Sequence, residues 1–413
     1  MMEERKPNKA VALRERDGRP LIVLGITHPQ TCLILPARLR ALKAAGFRVV
    51  LICSPGTLLD RIARQECVET VSVRMQRGLS PFADAVSLVV LCRVLHRLRP
   101  VMTEFSTPKA GLLGNLAAKL CGVPVRVYML RGLRLETLAG LRFRLVLAAE
   151  RLASACAHHV VCNSRSLQAK AAALRVAPAG KLHLIGNGSS QGVDIDRFSP
   201  GADKVRKGLG IPPEAPLIGF VGRLTCDKGI PELIDAFELI LGAVPMARLL
   251  LVGWFDDSDD AVSEDLRRRI ESHPAIVYTG YVADTAPYYR AMDVMVLPTW
   301  REGFPNVVLE AAATGIPVVT TISTGSRDAV VPEVTGLLIP VGYPQAIAEA
   351  VIRLIRNPEE RWRMGAAARA WVIEQFVNGH VLGQTMEFYR ALLEASGPGH
   401  DAVLATDAAA VGD

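Results

Sequence analysis

A repeated alternation of short apolar runs with longer segments of helical pattern constrains this chain more than any other feature. Each apolar run has the length of a buried strand, and the segments between them, such as Ile34–Ala45 and Lys109–Cys121, have the length of crossover helices. This spacing predicts βαβ units and hence parallel sheets. The predicted strands are Leu21–Ile26, Arg48–Cys53, Val68–Val73, Val101–Phe105, Val125–Leu130, His159–Cys162, Leu182–Ile185, Leu217–Val221, Leu249–Val252, Ile276–Thr279, Val294–Leu297, Val318–Thr321 and Leu337–Ile339.

The alternation is interrupted once, by a polar segment rich in glycine and serine at Asn187–Pro200. We interpret this segment as a linker between two domains, which agrees with a length of 413 residues. The predicted fold class is therefore α/β, with two Rossmann-like parallel-sheet domains that face a central cleft. Helical patterns from Pro344 to Leu393 close the chain, and the composition of 1–19 and 395–413 predicts flexible tails.

Composition and cysteine usage narrow the class of protein. Half of the residues are hydrophobic, which is enough for sizeable cores. Residues 1–19 lack the apolar region of a signal peptide, and no apolar run reaches the length of about 18 residues that a membrane span needs. The eight cysteines are scattered without metal-ligand spacing, so we expect buried thiols in a reducing cytoplasm.

Charge is distributed unevenly along the chain. Residues 1–199 hold 30 lysines and arginines against 13 aspartates and glutamates, whereas the remainder holds 18 against 28. A basic half joined to an acidic half predicts an anionic partner for the first half. Nucleic acid is a poor candidate, because aromatic stacking patterns, zinc knuckles and basic helix motifs are missing. An anionic membrane surface or a diphosphate-bearing lipid fits better.

The segment Asp293–Thr321 predicts a strand, a loop, a helix and a second strand. Pro305 and Asn306 supply the rigid backbone and capping chemistry of a helix start, and Gly315 is the predicted end of the helix. Open α/β sheets bind ligands in loops of this kind, at the carboxyl ends of their strands.

Two glutamates flank the start of that helix. Glu302 and Gly303 precede it, and Glu310 lies about one turn inside it. The free N–H groups of Phe304–Val307 would lie at the positive end of the helix, which favours phosphate. This geometry suits a sugar nucleotide, with its diphosphate on the amides, one carboxylate on the sugar and the other on the ribose.

A second motif, GFVGRLTCDKG at Gly219–Gly229, supplies two cations. A strand runs into Gly222, and Arg223 and Lys228 flank the short loop that follows. An arginine and a lysine at the carboxyl end of a strand can clamp a diphosphate and stabilise its charge as it leaves.

Together these two motifs resemble those of a known family, the GT-B glycosyltransferases of family 4. Glu302 and Glu310, within EGFPNVVLEA, are similar to its E-x7-E motif, and Arg223 and Lys228 match the pair that contacts the β-phosphate of the donor there. The resemblance implies that Glu302 holds sugar hydroxyls and Glu310 holds the ribose. The implied catalytic residues are Arg223, Lys228 and Glu302, and the implied donor-binding residues are Gly222, Arg223, Lys228, Glu302, Gly303, Phe304, Pro305, Asn306, Val307 and Glu310.

The resemblance covers about residues 20–393 and carries expectations about domains and reaction. It implies an acceptor-side domain at 20–190, a nucleotide-sugar-binding domain at 191–375, and a helix at 376–394 that crosses back to the first domain. It also implies transfer of a hexose or N-acetylhexosamine from a nucleotide sugar, of the UDP type, with retention of configuration and with no metal or other cofactor.

Acceptor-side residues are expected at the strand ends of the first domain. Lys109 opens a helix after one strand, Arg131 and Arg134 follow the next, and His28 is a candidate after the first strand. The pattern TPKAGLLG followed by YMLRGLR resembles the subgroup that builds capsule, exopolysaccharide and O-antigen chains on undecaprenyl diphosphate. This implies a lipid-linked acceptor and a cytoplasmic protein that is peripheral on the inner face of the membrane.

Several alternatives remain open. The run Asp256–Asp260 contains the D-x-D of metal-dependent transferases, although we interpret it as a solvated acidic loop. Pro81–Leu98 is either an amphipathic membrane helix or, as we favour, an ordinary crossover helix. The acceptor is alternatively a soluble molecule such as an inositol phosphate, and a non-catalytic sugar-nucleotide sensor is the alternative from a different class. The first βα turn is not G-x-G-x-x-G, so a dinucleotide dehydrogenase is unsupported.

Overall fold

The structure is a computed structural model that describes residues 18–396 apart from 77, 79, 203, 257 and 258. The two predicted tails lie almost wholly outside the described residues. Within the described residues, thirteen strands form two sheets, and every predicted strand is found within one residue of its predicted bounds. The strands are β1 Leu21–Gly25, β2 Arg48–Cys53, β3 Glu69–Ser72, β4 Met102–Ser106, β5 Val125–Leu130, β6 His159–Cys162, β7 Leu182–Leu184, β8 Leu217–Val221, β9 Arg248–Val252, β10 Ile276–Tyr278, β11 Val294–Leu297, β12 Val318–Thr321 and β13 Gly336–Ile339.

Helices lie between most of these strands as crossover connections, and three more helices follow the last strand. They are α1 Pro36–Ala44, α2 Thr57–Gln65, α3 Pro81–Leu98, α4 Pro108–Leu120, α5 Gly140–Cys156, α6 Arg165–Ala173, α7 Ile230–Ala243, α8 Glu264–Ser272, α9 Ala286–Ala291, α10 Asn306–Ala313, α11 Pro344–Arg356, α12 Pro358–Gln375 and α13 Asn378–Glu394. The predicted helix at Ile34–Ala45 is shorter than expected. A 3-10 turn occupies Pro29–Ile34, and α1 begins only at Pro36, because proline suits the first turn of a helix but cannot continue one.

Both sheets are parallel and doubly wound, which confirms the predicted fold class. The first has the order β3-β2-β1-β4-β5-β6-β7 and the second has the order β10-β9-β8-β11-β12-β13. The register runs without interruption through the centre of each sheet, with Leu21 beside Arg48 and Leu217 beside Arg248. Because the central strands are buried on both faces, they read as continuous apolar runs in the sequence.

The last helix packs on the first sheet. Met386 and Tyr389 of α13 belong to the same apolar core as Ile22 of β1. The Tyr389 hydroxyl contacts a buried ion pair between Arg38 of α1 and Glu104 of β4, whose nearest atoms are 2.5 Å apart. Burial alone lowers the pKa of Arg38, but the adjacent Glu104 and Tyr389 raise it above its usual value. This network fixes α13 to the first sheet, while the domain boundaries at 190 and 375 stay a prediction.

The carboxyl ends of the two sheets face each other across a glycine-rich contact. A Cβ atom on Gly303 would overlap the carbonyl oxygen of Arg131, so the two backbones meet more closely than any side chain allows. Beside this contact, Thr324 donates a hydrogen bond of 2.6 Å to Glu136, and the amide of Ser166 donates one of 2.8 Å to Asp328. These bonds join loops of the first domain to loops of the second domain beside one cleft.

Two other expectations bear on the class of protein. Among the described residues, no helix is long and apolar enough to cross a membrane. The prediction that the cysteines are buried is wrong for Cys67 and Cys226, which are exposed. Cys226 lies in the short 3-10 turn that carries Lys228.

Candidate active site

A cleft of about 1000 Å³ lies between the two sheets, and both sequence motifs line it. The fourteen residues singled out from the sequence all line this one cavity, although they come from five separate segments of the chain. They are His28, Lys109, Arg131, Arg134, Gly222, Arg223, Lys228, Glu302, Gly303, Phe304, Pro305, Asn306, Val307 and Glu310.

The amino end of α10 opens directly into the cleft. Pro305 is the residue before the helix and has extended backbone angles, so the N–H groups that follow have no partner within the helix. The Oδ1 atom of Asn306, the first helical residue, accepts a hydrogen bond of 3.3 Å from the hydroxyl of Ser189, in the segment that joins the sheets. The helix runs from Asn306 to Ala313, and its first residues line the cleft.

Glu310 projects from the second turn of α10 into the same cavity. The hydroxyl of Tyr289 donates a hydrogen bond of 2.8 Å to its Oε2 atom. Burial raises the pKa of Glu310, while this hydrogen bond and nearby Arg197 act in the opposite direction. Tyr289 fixes the orientation of the carboxylate from α9, and it was missed because its own segment carries no motif.

The two cations of the donor clamp are each paired with a carboxylate. The Arg223 guanidinium lies 2.5 Å from the carboxylate of Asp256, and Lys228 donates a hydrogen bond to Glu302. The second pair joins the two sequence motifs directly, although 74 positions separate the two residues. The cations therefore remain partly exposed to the cleft with their orientation set by neighbouring acids.

Asp227 lies in the loop between Arg223 and Lys228 and stabilises it through its own contacts. Its carboxylate accepts a hydrogen bond of 2.6 Å from Thr225 and lies 2.9 Å from Arg301. Burial alone raises the pKa of Asp227, but Lys228, the Thr225 hydroxyl and Arg301 together lower it below its usual value. A buried carboxylate that stays charged holds the loop between Arg223 and Lys228 in one conformation.

The interpretation of Asp256–Asp260 as a solvated loop is wrong for two of its carboxylates. Asp256 is only 9% exposed and pairs with Arg223, and Asp260 lies 3.4 Å from Arg301. Asp259 is exposed and reaches Arg134 of the first domain at 2.8 Å. Asp257 of the D-x-D lies outside the described residues. Within the part of the chain that the structure describes, no group of acids, histidines and cysteines is arranged to hold a metal ion.

The acceptor-side cations lie on the opposite wall. Lys109 forms an ion pair of 2.5 Å with Asp84 of α3, and Arg134 pairs with Asp259. His28 accepts a hydrogen bond from the Gln30 amide and caps the turn after β1. The Nε atom of Arg131 is buried and has no hydrogen-bond partner among the described residues. Burial and the nearby charge of Arg38 lower the pKa of Arg131 to about 10.

Two amide side chains in the cleft were not predicted. The Oδ1 atom of Asn163 and the Oε1 atom of Gln191 are buried, line the cavity and have no hydrogen-bond partner among the described residues. Such acceptors suit the hydroxyls of a sugar. Asn163 follows the last residue of β6, so the strand-end rule that pointed to Lys109 would also have found it.

The family of the chain follows from its sequence matches. Residues 215–357 match the family described as glycosyl transferases group 1, and residues 38–188 match the glycosyl transferase 4-like domain. Because these matches cover more than half of the chain, the protein belongs to the group 1 glycosyltransferases of the GT-B fold, as the motifs indicated.

Individual relatives span most of the chain. It is 34% identical over 325 residues to the capsular polysaccharide biosynthesis glycosyltransferase CapM of Staphylococcus aureus, which covers 78% of this chain and 85% of CapM. It is 28% identical over 323 residues to an Escherichia coli galactosyltransferase that acts on GlcNAc-diphosphoundecaprenol, covering 75% and 80% of the two chains. The fold is similar to Anabaena HepE in complex with UDP and glucose, with a TM-score of 0.77 and 19% identity over 90% of this chain and all of HepE.

Proposed function

We propose that this glycosyltransferase moves a hexose or N-acetylhexosamine from a UDP-sugar to a saccharide carried on undecaprenyl diphosphate. The observation that carries the proposal is the convergence of Arg223, Lys228 and the amino end of α10 on one cavity. Two cations and a row of free amides form a site for a diphosphate rather than for a single phosphate.

The arrangement supports a defined set of roles in the reaction. The diphosphate lies on the amides of α10, Glu302 binds hydroxyls of the transferred sugar, and Glu310 binds the ribose. The acceptor hydroxyl attacks the anomeric carbon from the face that the diphosphate leaves. The bond from that carbon to the diphosphate breaks as the new glycosidic bond forms, and the hydroxyl proton passes to the departing phosphate oxygen.

Arg223 and Lys228 stabilise the leaving group in this scheme. Charge accumulates on the diphosphate in the transition state, and fixed cations lower the energy of that charge without reorganising. The Lys228–Glu302 contact also links the residue that holds the sugar to the residue that holds the phosphate. We infer retention of configuration and independence of metal from the family to which the chain belongs.

A lipid-linked acceptor is supported by the charge of the first domain and by the relatives. Lys109, Arg131 and Arg134 line the acceptor wall, and their cations suit a diphosphate that remains on the lipid. The Escherichia coli relative acts on a diphosphoundecaprenol. We therefore propose that the protein works at the inner face of the cytoplasmic membrane.

The experiment is a panel of UDP-sugars and GDP-sugars, each incubated with purified protein and a membrane extract. We expect one UDP-sugar to label a product that partitions into the organic phase. A product that stays in the aqueous phase would favour the soluble acceptor instead. Donor binding with no transfer to either phase, in an extract that supports another transferase, would favour the sensor and contradict the proposal.

A further inference from the structure

Two helices of the first domain expose apolar side chains on the same side of the molecule. Helices α3 and α5 both pack against α4, one on each side, so the three cover one face of the first sheet. Phe82 at the start of α3 is 87% exposed, and Leu141 at the start of α5 is 71% exposed. We call this surface the α3/α5 face. Its exposed apolar residues are Phe82, Val86 and Val89 on α3 and Leu141, Leu145 and Leu152 on α5.

The spacing of these residues places them in one stripe along each helix. Phe82, Val86 and Val89 are four and three residues apart, and Leu141 and Leu145 are four apart. Both helices also bury an opposite stripe, such as Leu91 and Leu95 of α3, in the core of the domain. A crossover helix ordinarily presents polar residues to water on its outer face. The outer stripes of α3 and α5 are apolar instead.

The charges around the stripes favour an anionic surface. Exposed arginines flank the stripe of α5, the stripe of α3 ends in exposed arginines, and neither helix has an exposed carboxylate. Asp84, the acid of α3, pairs with Lys109, and Glu150, the acid of α5, is buried against Tyr128. An apolar stripe bordered by arginines is the pattern of a helix that lies in the interface of a bilayer. The flanking arginines are Arg93, Arg97, Arg142, Arg144 and Arg151.

The face adjoins the mouth of the cleft. Phe82 and Leu141 lie in the first turns of their helices, and helices of a parallel sheet begin at the edge where its strands end. Lys109 opens α4 between them and lines the cavity. The most exposed apolar residues are therefore at the end of the face nearest the proposed acceptor wall.

We propose that the α3/α5 face inserts shallowly into an anionic bilayer and holds the cleft mouth at the level of the lipid headgroups. This rests on the proposed lipid-linked acceptor for its purpose, although the contact itself needs no substrate. The sequence left α3 as either a crossover helix or an amphipathic membrane helix. The two roles are compatible, because the first uses the buried stripe of the helix and the second uses the exposed stripe.

The proposal makes binding partly resistant to salt. Salt screens the attraction between the arginines and anionic lipid, whereas the transfer of apolar side chains into the bilayer remains. We expect purified protein to sediment with vesicles of phosphatidylglycerol and phosphatidylcholine at low salt. When the salt is raised about fivefold, to about 0.5 M, the protein should lose part but not all of this binding. The double variant Phe82→Gln, Leu141→Gln should reduce partitioning about tenfold or more. Trp362→Gln is the matched control, because Trp362 is 77% exposed but lies in the second domain.

Tryptophan fluorescence measures the insertion of the α3/α5 face into the bilayer directly. The four tryptophans of the chain lie between residues 254 and 371, all in the second domain. Phe82→Trp adds one on the α3/α5 face, and vesicles with brominated acyl chains should quench its emission while wild-type emission stays unchanged. An unquenched Phe82→Trp emission on bound vesicles would overturn the proposal.

The remaining outcomes separate this proposal from the proposed function. The double variant should keep wild-type activity on a detergent-solubilised acceptor and lose it on vesicles. If wild-type protein binds vesicles as expected but transfers no sugar in detergent, the proposed function fails and the membrane face stands. A different result would contradict the proposal. If sedimentation equilibrium shows that wild type is a dimer and the double variant a monomer, while both bind vesicles equally, the face is a contact between copies of the chain.

Discussion

Arg223 and Lys228 owe their position to residues that the motifs do not contain. Asp256 holds the guanidinium from the loop after β9, and Asp227 anchors the intervening turn through Thr225 and Arg301. Each cation is thus fixed before a diphosphate arrives, which is what electrostatic stabilisation of a transition state requires.

The first prediction tests this clamp. Arg223→Ala and Lys228→Ala should each lower kcat by about a hundredfold or more, because each removes a charge that stabilises the leaving diphosphate. Steady-state kinetics on folded protein, verified by circular dichroism, provides the measurement. Arg268→Ala is a suitable control, since Arg268 is an exposed arginine of α8 remote from the cleft residues. Near wild-type kcat in both clamp variants would remove them from the mechanism.

The sequence predicted residues that line the cleft where a strand ends beside it. Arg223, Lys228, Glu302 and Glu310 all lie in segments whose pattern marks the carboxyl end of a strand or the start of a helix. Their partners could not be predicted in the same way. Tyr289 sits on a short helix without a motif, and its contact with Glu310 depends on how α9 packs against α10.

At the scale of elements, one close contact between the two domains is made by backbone alone. Gly303 of the loop before α10 meets the carbonyl of Arg131 after β5, and Gly132 packs against the amide of Gly303. Such contacts leave no signal in hydrophobic periodicity, because no side chain takes part. The strands and helices were therefore predictable, whereas this backbone contact between the two domains was not.

Replacing Gly303 tests whether this approach matters for catalysis. Gly303→Ala should lower kcat/KM by about tenfold or more, because a Cβ atom would push the Glu302 loop away from Arg131 and a displacement of about 1 Å is costly. Gly242→Ala is the matched control, since a Cβ on that glycine of α7 meets no other atom. Equal kcat/KM in the two variants would show that the contact is not needed for turnover.

The α5 helix carries a titratable group that links pH to stability. Glu150 is buried, accepts a hydrogen bond of 2.6 Å from Tyr128, and has its pKa raised by burial from 4.5 to about 7. The folded protein therefore retains a proton on Glu150 that the unfolded chain loses. Its contribution to stability is complete below about pH 4.5 and declines as the pH rises through 7.

Glu150→Gln should remove this dependence. The free energy of unfolding of wild type should fall, relative to the variant, by about 3 kcal/mol between pH 4 and pH 8, since one pKa unit corresponds to about 1.4 kcal/mol. Urea denaturation of both proteins at the two pH values measures the difference. A constant difference across this range would mean that the pKa of Glu150 is the same in the folded and unfolded protein, and would contradict the raised pKa.

The acidic loop after β9 leads to a prediction about metal. Activity should survive EDTA, because Arg223, Lys228 and the amides of α10 already face the diphosphate. The assay compares initial rates with and without chelator, and Asp257→Ala serves as the companion variant. Complete loss on chelation, restored by Mn²⁺ or Mg²⁺ and matched by an inactive Asp257→Ala, would assign the D-x-D to metal binding.

For the whole molecule, the difference in charge between the two halves of the chain corresponds to the different substrates that we propose they bind. The basic half forms the sheet whose loops line the acceptor wall, and the acidic half carries the donor motifs. Composition predicted this asymmetry, but only the structure shows that the two walls enclose one cavity. The distance in sequence between Arg131 and Gly303 gives no indication that they touch, because closing so long a loop depends on the packing of both sheets.

The most direct test of the account measures both products of one reaction. The purified protein, the UDP-sugar selected by the panel and a saccharide on undecaprenyl diphosphate should yield UDP and an acceptor extended by one sugar in equal amounts. Nuclear magnetic resonance should show the anomeric configuration of the donor in the new linkage. The Arg223→Ala, Lys228→Ala double variant should form neither product at a measurable rate. Release of UDP without extension of any acceptor, or undiminished extension by the double variant, would contradict the account.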